Sequence, residues 1–179
     1  PIRILESGPA AGVLMANEIG KSIGNRNIIT FDMGGTTAKL GAIDNGTPSI
    51  SAIFEVDPIQ SRKGSGLPVT VPSIELLEIG AGGGSIAAVE MGMIKVGPES
   101  AGATPGPLCY NKGGEYPTIT DANLILGYIN PKGFNNGSML LNVDKAHFGV
   151  KQIIADPLNL SVGEAAWGIH LIATTNMEH

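Results

Sequence analysis

Short apolar runs in the first third of the chain follow the spacing of β-strands. Residues 28–31 are β-branched or aromatic and stop at Asp32, which predicts a buried strand. Apolar residues resume over 38–43, the turn sequence Asp44-Asn45-Gly46-Thr47 follows, and residues 49–56 alternate well enough for a third strand. The pattern therefore predicts a β-meander whose first two strands form a hairpin.

Helical spacing replaces this pattern at both ends of the chain. Residues 7–24 are predicted to be a helix, with Ser7 as N-cap, Pro9 in the first turn and Gly24 at the stop. Residues 161–177 form the last predicted helix, which Ser161 and Glu164 begin as a capping box. We expect helices 8–24 and 161–177 to pack against the sheet that carries residues 28–56.

The middle of the chain mixes both patterns. Residues 86–96 predict a second hairpin with its turn near Met91-Gly92, and 97–114 are irregular. A helix is predicted from Thr118 through Tyr128, with Thr120 or Asp121 as N-cap, and another begins at Asn142 and runs through 143–158. Residues 57–70 are a polar loop with two prolines. The fold class expected is α/β, with a mixed β-sheet and flanking helices.

The turn of the first hairpin carries candidate chemistry. Glycines without Cβ atoms let an anion approach the backbone, exposed amides can form a concave anion site, and threonine hydroxyls add donors. Asp32 before the turn can hold a divalent cation or a water beside a phosphate. The pattern is not a Walker loop, which would need G-x-x-x-x-G-K-S/T. A tight hairpin with no ligand is the alternative, because a short motif alone is only a hypothesis. The candidate binding residues are Asp32, Gly34, Gly35, Thr36 and Thr37.

A second glycine cluster follows at residues 80–84. Four of these five residues are glycine, which is costly to order unless φ is positive or a ligand approaches closely. We therefore add Gly82, Gly83 and Gly84 to the candidate nucleotide-phosphate contacts. A purely structural bend is the alternative.

Asp121 and Cys109 are two further candidates for a functional role. Asp121 is either a helix cap or an acid that points into the site and contributes to catalysis, as Asp32 also could. Cys109 is the only cysteine, and it is expected to be a small buried hydrophobe. Metal ligation or nucleophilic catalysis by Cys109 would need partners that the sequence does not place beside it.

Composition narrows the class of protein. The 179 residues carry a net charge of −5, which argues against a nucleic-acid surface. No apolar segment approaches the roughly 20 residues of a membrane span, and a single cysteine suits a reducing cytoplasm. The chain does not begin with Met and lacks a signal-peptide layout, so we expect a cytoplasmic fragment or processed product.

Six motifs in order resemble the hydantoinase A and 5-oxoprolinase family. They run from Ser7 to Met177, nearly the whole chain: SGPAAGV, FDMGGTTAKL, IGAGGGSIA, VGPESAGATPGPLCY, PTITDANLILGY and EAAWGIHLIATTNM.

This resemblance implies an actin-like ATPase fold, related to ribonuclease H, of which residues 1–179 would be part of the second large domain, with a glycine-rich insertion at about 57–117. It implies ATP and Mg²⁺ as cofactors, bound in a cleft against a preceding domain of the same protein. The implied substrate is a cyclic amide such as a hydantoin or 5-oxoproline, and the implied partner is a hydantoinase B-type subunit or domain.

One residue departs from the family pattern. Where the family usually reads Thr-Ala-Asp after the Gly-Gly-Thr turn, this chain has Thr37-Ala38-Lys39. Lys39 is expected either to pair with phosphate or to face solvent, and metal chemistry at that position is in doubt. The resemblance leaves three functions: a ring-opening hydrolase, the equivalent domain of an ATP-dependent ketone carboxylase, or a non-catalytic actin-like assembly module, which Lys39 would favour.

Overall fold

The computed structural model describes residues 6–56 and 64–178. The chain divides into two compact units, which are described separately. The first comprises residues 1–33 and 38–79, and the second comprises residues 34–37 and 80–179. The tip of the first hairpin therefore belongs to the second unit.

The first unit is built on a four-stranded antiparallel sheet. Strand β2 pairs with β1 on one side and with β3 and β8 on the other. Two further antiparallel pairs join β4 to β7 and β5 to β6. The strands are β1 (Ile28–Met33), β2 (Ala38–Asp44), β3 (Thr47–Pro48), β4 (Ile50–Ser51), β5 (Phe54–Val56), β6 (Leu67–Val69), β7 (Ser73–Ile74) and β8 (Leu76–Ile79).

Helix α1 (Ser7–Ile23) packs on one face of this sheet. Gly41 in β2 permits the close approach, because a Cβ there would lie 2.5 Å from Val13 Cγ2. Asn17 is buried, and its Nδ2 donates to Gly46 O at 3.1 Å. Gly24 ends the helix in the left-handed conformation, as predicted. The Ser7 N-cap is wrong, since Glu6 precedes the helix with φ 56° and no side chain caps it.

The hairpin β1–β2 and the Asn45-Gly46 turn are confirmed, and both turn residues have positive φ. The single third strand over 49–56 is wrong. That segment is divided between β4 and β5, because each pairs with a partner more than ten residues later along the chain. The predicted loop over 57–70 lies partly outside the described residues, and β6 occupies its last part.

The second unit combines one hairpin with a helical layer. Strands β9 (Ser85–Glu90) and β10 (Met93–Ser100) turn at Met91-Gly92, as predicted. The helices are α2 (Ile119–Ile125), α3 (Val143–Val150), α4 (Asp156–Leu158) and α5 (Val162–Glu178), and a π-helical segment at Lys151–Ala155 joins α3 to α4.

Local caps define these helices. Ser161 and Glu164 form the predicted capping box, with Ser161 Oγ accepting from Glu164 N at 3.2 Å. The predicted start of a helix at Asn142 is confirmed, and the side chain of Asn142 caps α3 by accepting from Lys145 N at 2.9 Å. The N-cap of α2 is Thr118, and Asp121 stands at the third helical position, so the prediction of Thr120 or Asp121 as N-cap is wrong.

The packing corrects the predicted architecture. The main contacts of α5 are with α2 and β10, so packing against the 28–56 sheet is confirmed for helix α1 only. All strand pairings among the described residues are antiparallel. The presence of both helices and sheets confirms the α/β class. The predicted mixture of parallel and antiparallel strands is not found in the described ranges. No helix in that part of the chain is long and apolar enough to cross a membrane.

Candidate functional site

The segment Gly34–Thr37, here called the GGTT turn, is the centre of the candidate site. Gly34 N donates to Thr37 O at 2.9 Å, which closes the turn. Gly34, Gly35 and Thr36 are exposed, and Thr37 is half-buried. Neither glycine has positive φ, so the expected left-handed conformation is absent here.

The second glycine cluster packs directly on the GGTT turn. Gly83 N donates to Gly34 O at 2.9 Å, and Gly84 N donates to Gly35 O at 2.6 Å. A Cβ on Gly82 would lie 2.6 Å from the carbonyl carbon of Thr36. Side chains are therefore excluded from residue 82 by the backbone of the turn itself.

These hydrogen bonds fix the direction in which the turn presents its amides. In a trans peptide the C=O and the following N–H point in opposite directions. Because the carbonyls of Gly34 and Gly35 are directed at the amides of Gly83 and Gly84, the N–H groups of Gly35 and Thr36 point away from them.

The outward side of the GGTT turn has the features of an anion site. Within the described residues, neither these two amides nor the hydroxyls of Thr36 and Thr37 have a hydrogen-bond partner. A Cβ on Gly35 would meet nothing within 4 Å. Two adjacent free amides, two hydroxyls and open space can bind a phosphate oxygen.

Helix α2 is hydrogen-bonded to the second glycine cluster. Thr120 donates to Gly83 O through both its backbone N and its Oγ1, each at 2.8 Å. Ser100 Oγ lies 3.4 Å from Gly35 O, which makes it a weak contact. Sequence reasoning missed Thr120 as a support of the turn. Its position two residues after the Thr118 cap was a usable local signal, but its partner is 37 residues away.

Residues 82–84 therefore support the turn. Gly83 and Gly84 donate to it, and Gly82 N donates to Ser85 Oγ at 3.0 Å. With these amides occupied, the geometry favours the structural alternative over direct contact with a ligand. Their direct contact with a nucleotide stays a prediction.

Asp121 is fully buried and organises the chain around α2. Its carboxylate accepts from Leu108 N at 3.1 Å, from Cys109 N at 2.8 Å, and from both the N and the Oγ1 of Thr118 at 2.9 Å. Four donors occupy the carboxylate oxygens, which suits the capping role. The catalytic role of Asp121 stays a prediction that this geometry does not favour.

Cys109 is completely buried, as expected for a small hydrophobe. Burial, followed by the negative charge of Asp121, raises the pKa of the Cys109 thiol well above its usual range. Since the thiolate is the nucleophilic form, this thiol is held in its unreactive state.

Asp32 and Lys39 are opposite each other in the β1–β2 register of the first unit. Asp32 is exposed, and its carboxylate has no hydrogen bond or ion pair within the described residues. Lys39 pairs with Glu6, and its Nζ also lies 3.7 Å from Glu78 Oε2. The solvent-facing alternative for Lys39 is wrong, because its side chain is 15% exposed and its charge is compensated by two carboxylates of its own unit. Pairing of Lys39 with phosphate stays a prediction.

Among the described residues, no group of three or more His, Cys, Asp or Glu side chains is arranged to hold a metal ion. A single carboxylate such as Asp32 suits Mg²⁺ only where phosphates and waters supply the other ligands. The metal role predicted for Asp32 stays a prediction, and it requires phosphate and water as the other ligands of the ion.

Comparisons with known proteins identify relatives over the whole chain. A model of the hydantoinase/oxoprolinase family matches residues 1–179. An uncharacterized protein of Methanocaldococcus jannaschii is 46% identical over 99% of this chain and 26% of its own length. The alpha subunit of caprolactamase from Pseudomonas jessenii is 41% identical over 98% of this chain and 24% of its own.

Two solved structures have the same fold over this length. The ATP-dependent caprolactamase of Pseudomonas jessenii aligns with a TM-score of 0.75 at 40% identity, over 96% of this chain and 24% of that chain. A nucleotide-free acetone carboxylase aligns with a TM-score of 0.73 at 34% identity, over 91% and 22%. The chain thus spans about a quarter of the length of these relatives.

Proposed function

Because this chain belongs to the hydantoinase/oxoprolinase family, we propose that it is the nucleotide-binding part of an ATP-dependent hydrolase that opens cyclic amides. In this proposal the GGTT turn binds ATP phosphate. The observation that carries it is the pair of outward amides at Gly35 and Thr36, which are oriented by hydrogen bonds from Gly83 and Gly84 to the carbonyls on the other side.

The residues present fit a phosphate group. Gly35 has no atom within 4 Å of the position where a Cβ would be, so phosphate oxygens can approach the backbone. Asp32 is the residue that would accompany Mg²⁺, through phosphates and water, since an exposed lone carboxylate is the kind of ligand that Mg-nucleotide sites use.

An amide carbonyl is a poor electrophile, so its oxygen must be activated before the ring can open. ATP, when bound, supplies the phosphoryl group that activates this oxygen. The residues of this chain would position phosphate and stabilise its charge through fixed dipoles that need no reorganisation. Thr36 and Thr37 would add neutral donors, and their hydroxyls are free to rotate toward an oxygen.

The actin-like ATPase fold belongs to the same proposal. In that architecture ATP binds between two halves, so a preceding domain of the same protein would supply the opposing phosphate contacts. A hydantoinase B-type subunit is the partner we propose, and the caprolactamase relative is itself an alpha subunit. A cytoplasmic location would agree with a lone, protonated thiol.

A second function has specific support. The similarity to an acetone carboxylase structure favours a role as the equivalent part of an ATP-dependent ketone carboxylase. The same phosphate site serves both reactions, because each activates a carbonyl oxygen with ATP. Lys39 still stands where the family usually has an aspartate, and its ion pairs with two carboxylates do not replace that acid.

Substrate-stimulated ATP hydrolysis distinguishes these functions. The protein at its natural length, with its partner subunit if it has one, should release phosphate faster when hydantoin, 5-oxoproline or caprolactam is added with Mg-ATP. Stimulation only by acetone or acetophenone with bicarbonate would replace the hydrolase by the carboxylase. No ATP turnover with any of them would contradict both.

Gly35→Val tests the site itself. The side chain fills the space in front of the two outward amides, so we expect loss of Mg-ATP binding and turnover with an unchanged melting temperature. Gly80→Val is the matched control, since residue 80 is exposed and also has nothing within 4 Å of a Cβ. Normal ATP affinity in Gly35→Val would show that phosphate does not bind at the GGTT turn.

A further inference from the structure

One face of the first unit's sheet has no covering layer among the described residues of that unit. Side chains alternate between the two faces of a strand. Helix α1 covers the face to which Gly41 belongs, as shown by the close approach of Val13. Thr30 is the register partner of Gly41 and lies on the same face, so its neighbours Ile29 and Phe31 lie on the other face.

The uncovered face is apolar across three strands. Phe31 in β1 is opposite Leu40 in β2, and Leu40 is opposite Leu77 in β8. Ile29, Phe31 and Leu77 are 77%, 53% and 60% exposed. We call Ile29, Phe31, Leu40 and Leu77 the open face. Contiguous apolar surface of this kind is unusual on a monomer and marks an interface.

We propose that the open face binds an amphipathic helix of the same protein, from polypeptide outside residues 1–179. The relatives that match this chain carry about three quarters of their length beyond the matched part, so a longer homologous protein has ample chain to provide it. In α/β proteins each apolar sheet face is covered by a helical layer, and here α1 covers only one.

The dimensions of the open face fit one helix. Neighbouring strands are about 4.8 Å apart, so three strands present a strip about 10 Å wide. This is the diameter of a helix with its side chains, about 10–12 Å. The register partners that form the strip include no charged side chain, so the helix that covers it must present an apolar stripe.

Cysteine labelling in the protein at its natural length tests this proposal. Leu77→Cys and Ile29→Cys each place one thiol on the open face, and Met91→Cys places one in the β9–β10 turn, where residue 91 is 98% exposed. Native Cys109 is buried, and peptide mapping by mass spectrometry separates each label from any other cysteine.

We expect the two open-face thiols to react with a maleimide at least about tenfold more slowly than the thiol of Met91→Cys, and equally slowly after about a hundredfold dilution. Equal rates at all three positions would overturn the proposal, because the face would be open in solution. Protection that disappears on dilution would also overturn it and would identify a second copy of the chain as the occupant.

Footprinting of the unsubstituted protein covers the case in which a variant fails to fold. Hydroxyl radicals should oxidise Phe31 and Leu77 far more slowly in the native protein than in the urea-unfolded protein. Similar native and unfolded rates at both residues would overturn the proposal without any substitution.

Discussion

At Gly82 the backbone of the GGTT turn occupies the place where a side chain would begin. The carbonyl carbon of Thr36 would lie 2.6 Å from a Cβ, and backbone atoms of Gly35 would lie at 2.8 Å. Neither neighbour can move away as a flexible side chain could. The requirement for glycine at this residue therefore arises from packing within the protein, whereas at Gly35 it would arise from the ligand.

Gly82→Ala should consequently destabilise the protein. Overpacking of this kind typically costs about 1–3 kcal/mol, and the turn should also shift away from residue 82. Urea unfolding measures the free energy, with Gly80→Ala as a control that meets no atom within 4 Å. Gly35→Ala should leave stability nearly unchanged, and equal stability of all three variants would show that the close packing at Gly82 is incorrect.

Sequence reasoning found both glycine segments but could not assign their separate roles. Composition shows that glycine is necessary, and it does not distinguish a backbone neighbour from a ligand. The difference depends on the long-range hydrogen bonds from Gly83 to Gly34 and from Gly84 to Gly35. The same limit applies to Lys39, whose two carboxylate partners lie in segments distant from it in sequence.

At the scale of elements, local signals located the helices and hairpins, although the N-caps of α1 and α2 were wrong, and they did not identify pairing partners distant in sequence. The hairpins of β1–β2 and β9–β10 and the helices α1 and α5 were predicted because periodicity, caps and turn residues are all contained in one segment. The strand over 49–56 was mispredicted because its two halves pair with different distant partners. Asp121 was predicted as an N-cap, but the cap is Thr118, three residues earlier. Asp121 is the other member of the capping box that Thr118 forms.

The capping box of α5 gives a prediction for pH. Hydrogen bonds from Ser161 lower the pKa of Glu164, so the folded state favours the ionised carboxylate. Its contribution is present above the ordinary glutamate pKa of about 4.3 and is lost as pH falls through the lower folded value.

Ser161→Ala should therefore lower the melting temperature at about pH 6 more than it does at about pH 3. Thermal unfolding of both proteins across this range measures the difference. A reduction that is the same at both pH values would contradict a role for the ionised carboxylate, and Thr174→Ala, also in α5 but outside the cap, is the control.

At the scale of the whole molecule, the match to about a quarter of each relative bears on nucleotide affinity. If the rest of such a protein supplies opposing phosphate contacts, residues 1–179 alone should bind Mg-ATP weakly. We expect a Kd of about 1 mM or higher, which corresponds to about −4 kcal/mol. Phosphate contacts supplied from one side only stay exposed to solvent, where salt screens the electrostatic attraction.

Calorimetry of residues 1–179 and of the natural-length protein, side by side, measures this difference. Circular dichroism first establishes that the shorter protein is folded. Micromolar binding by residues 1–179, or multiple turnovers of ATP, would mean that the nucleotide site is complete within them.

The assignment of residues 34–37 to the second unit determines how this chain can be divided. A cut near residue 80 would follow the visible boundary between the last strand of the sheet and the glycine cluster. It would also remove the carbonyls of Gly34 and Gly35 from Gly83 and Gly84, whose amides would then be left to water. Since the partners are about fifty residues apart, the chain must close a long loop to join them. A gene for the second unit that begins at residue 80 would therefore encode the support of the GGTT turn without the turn itself.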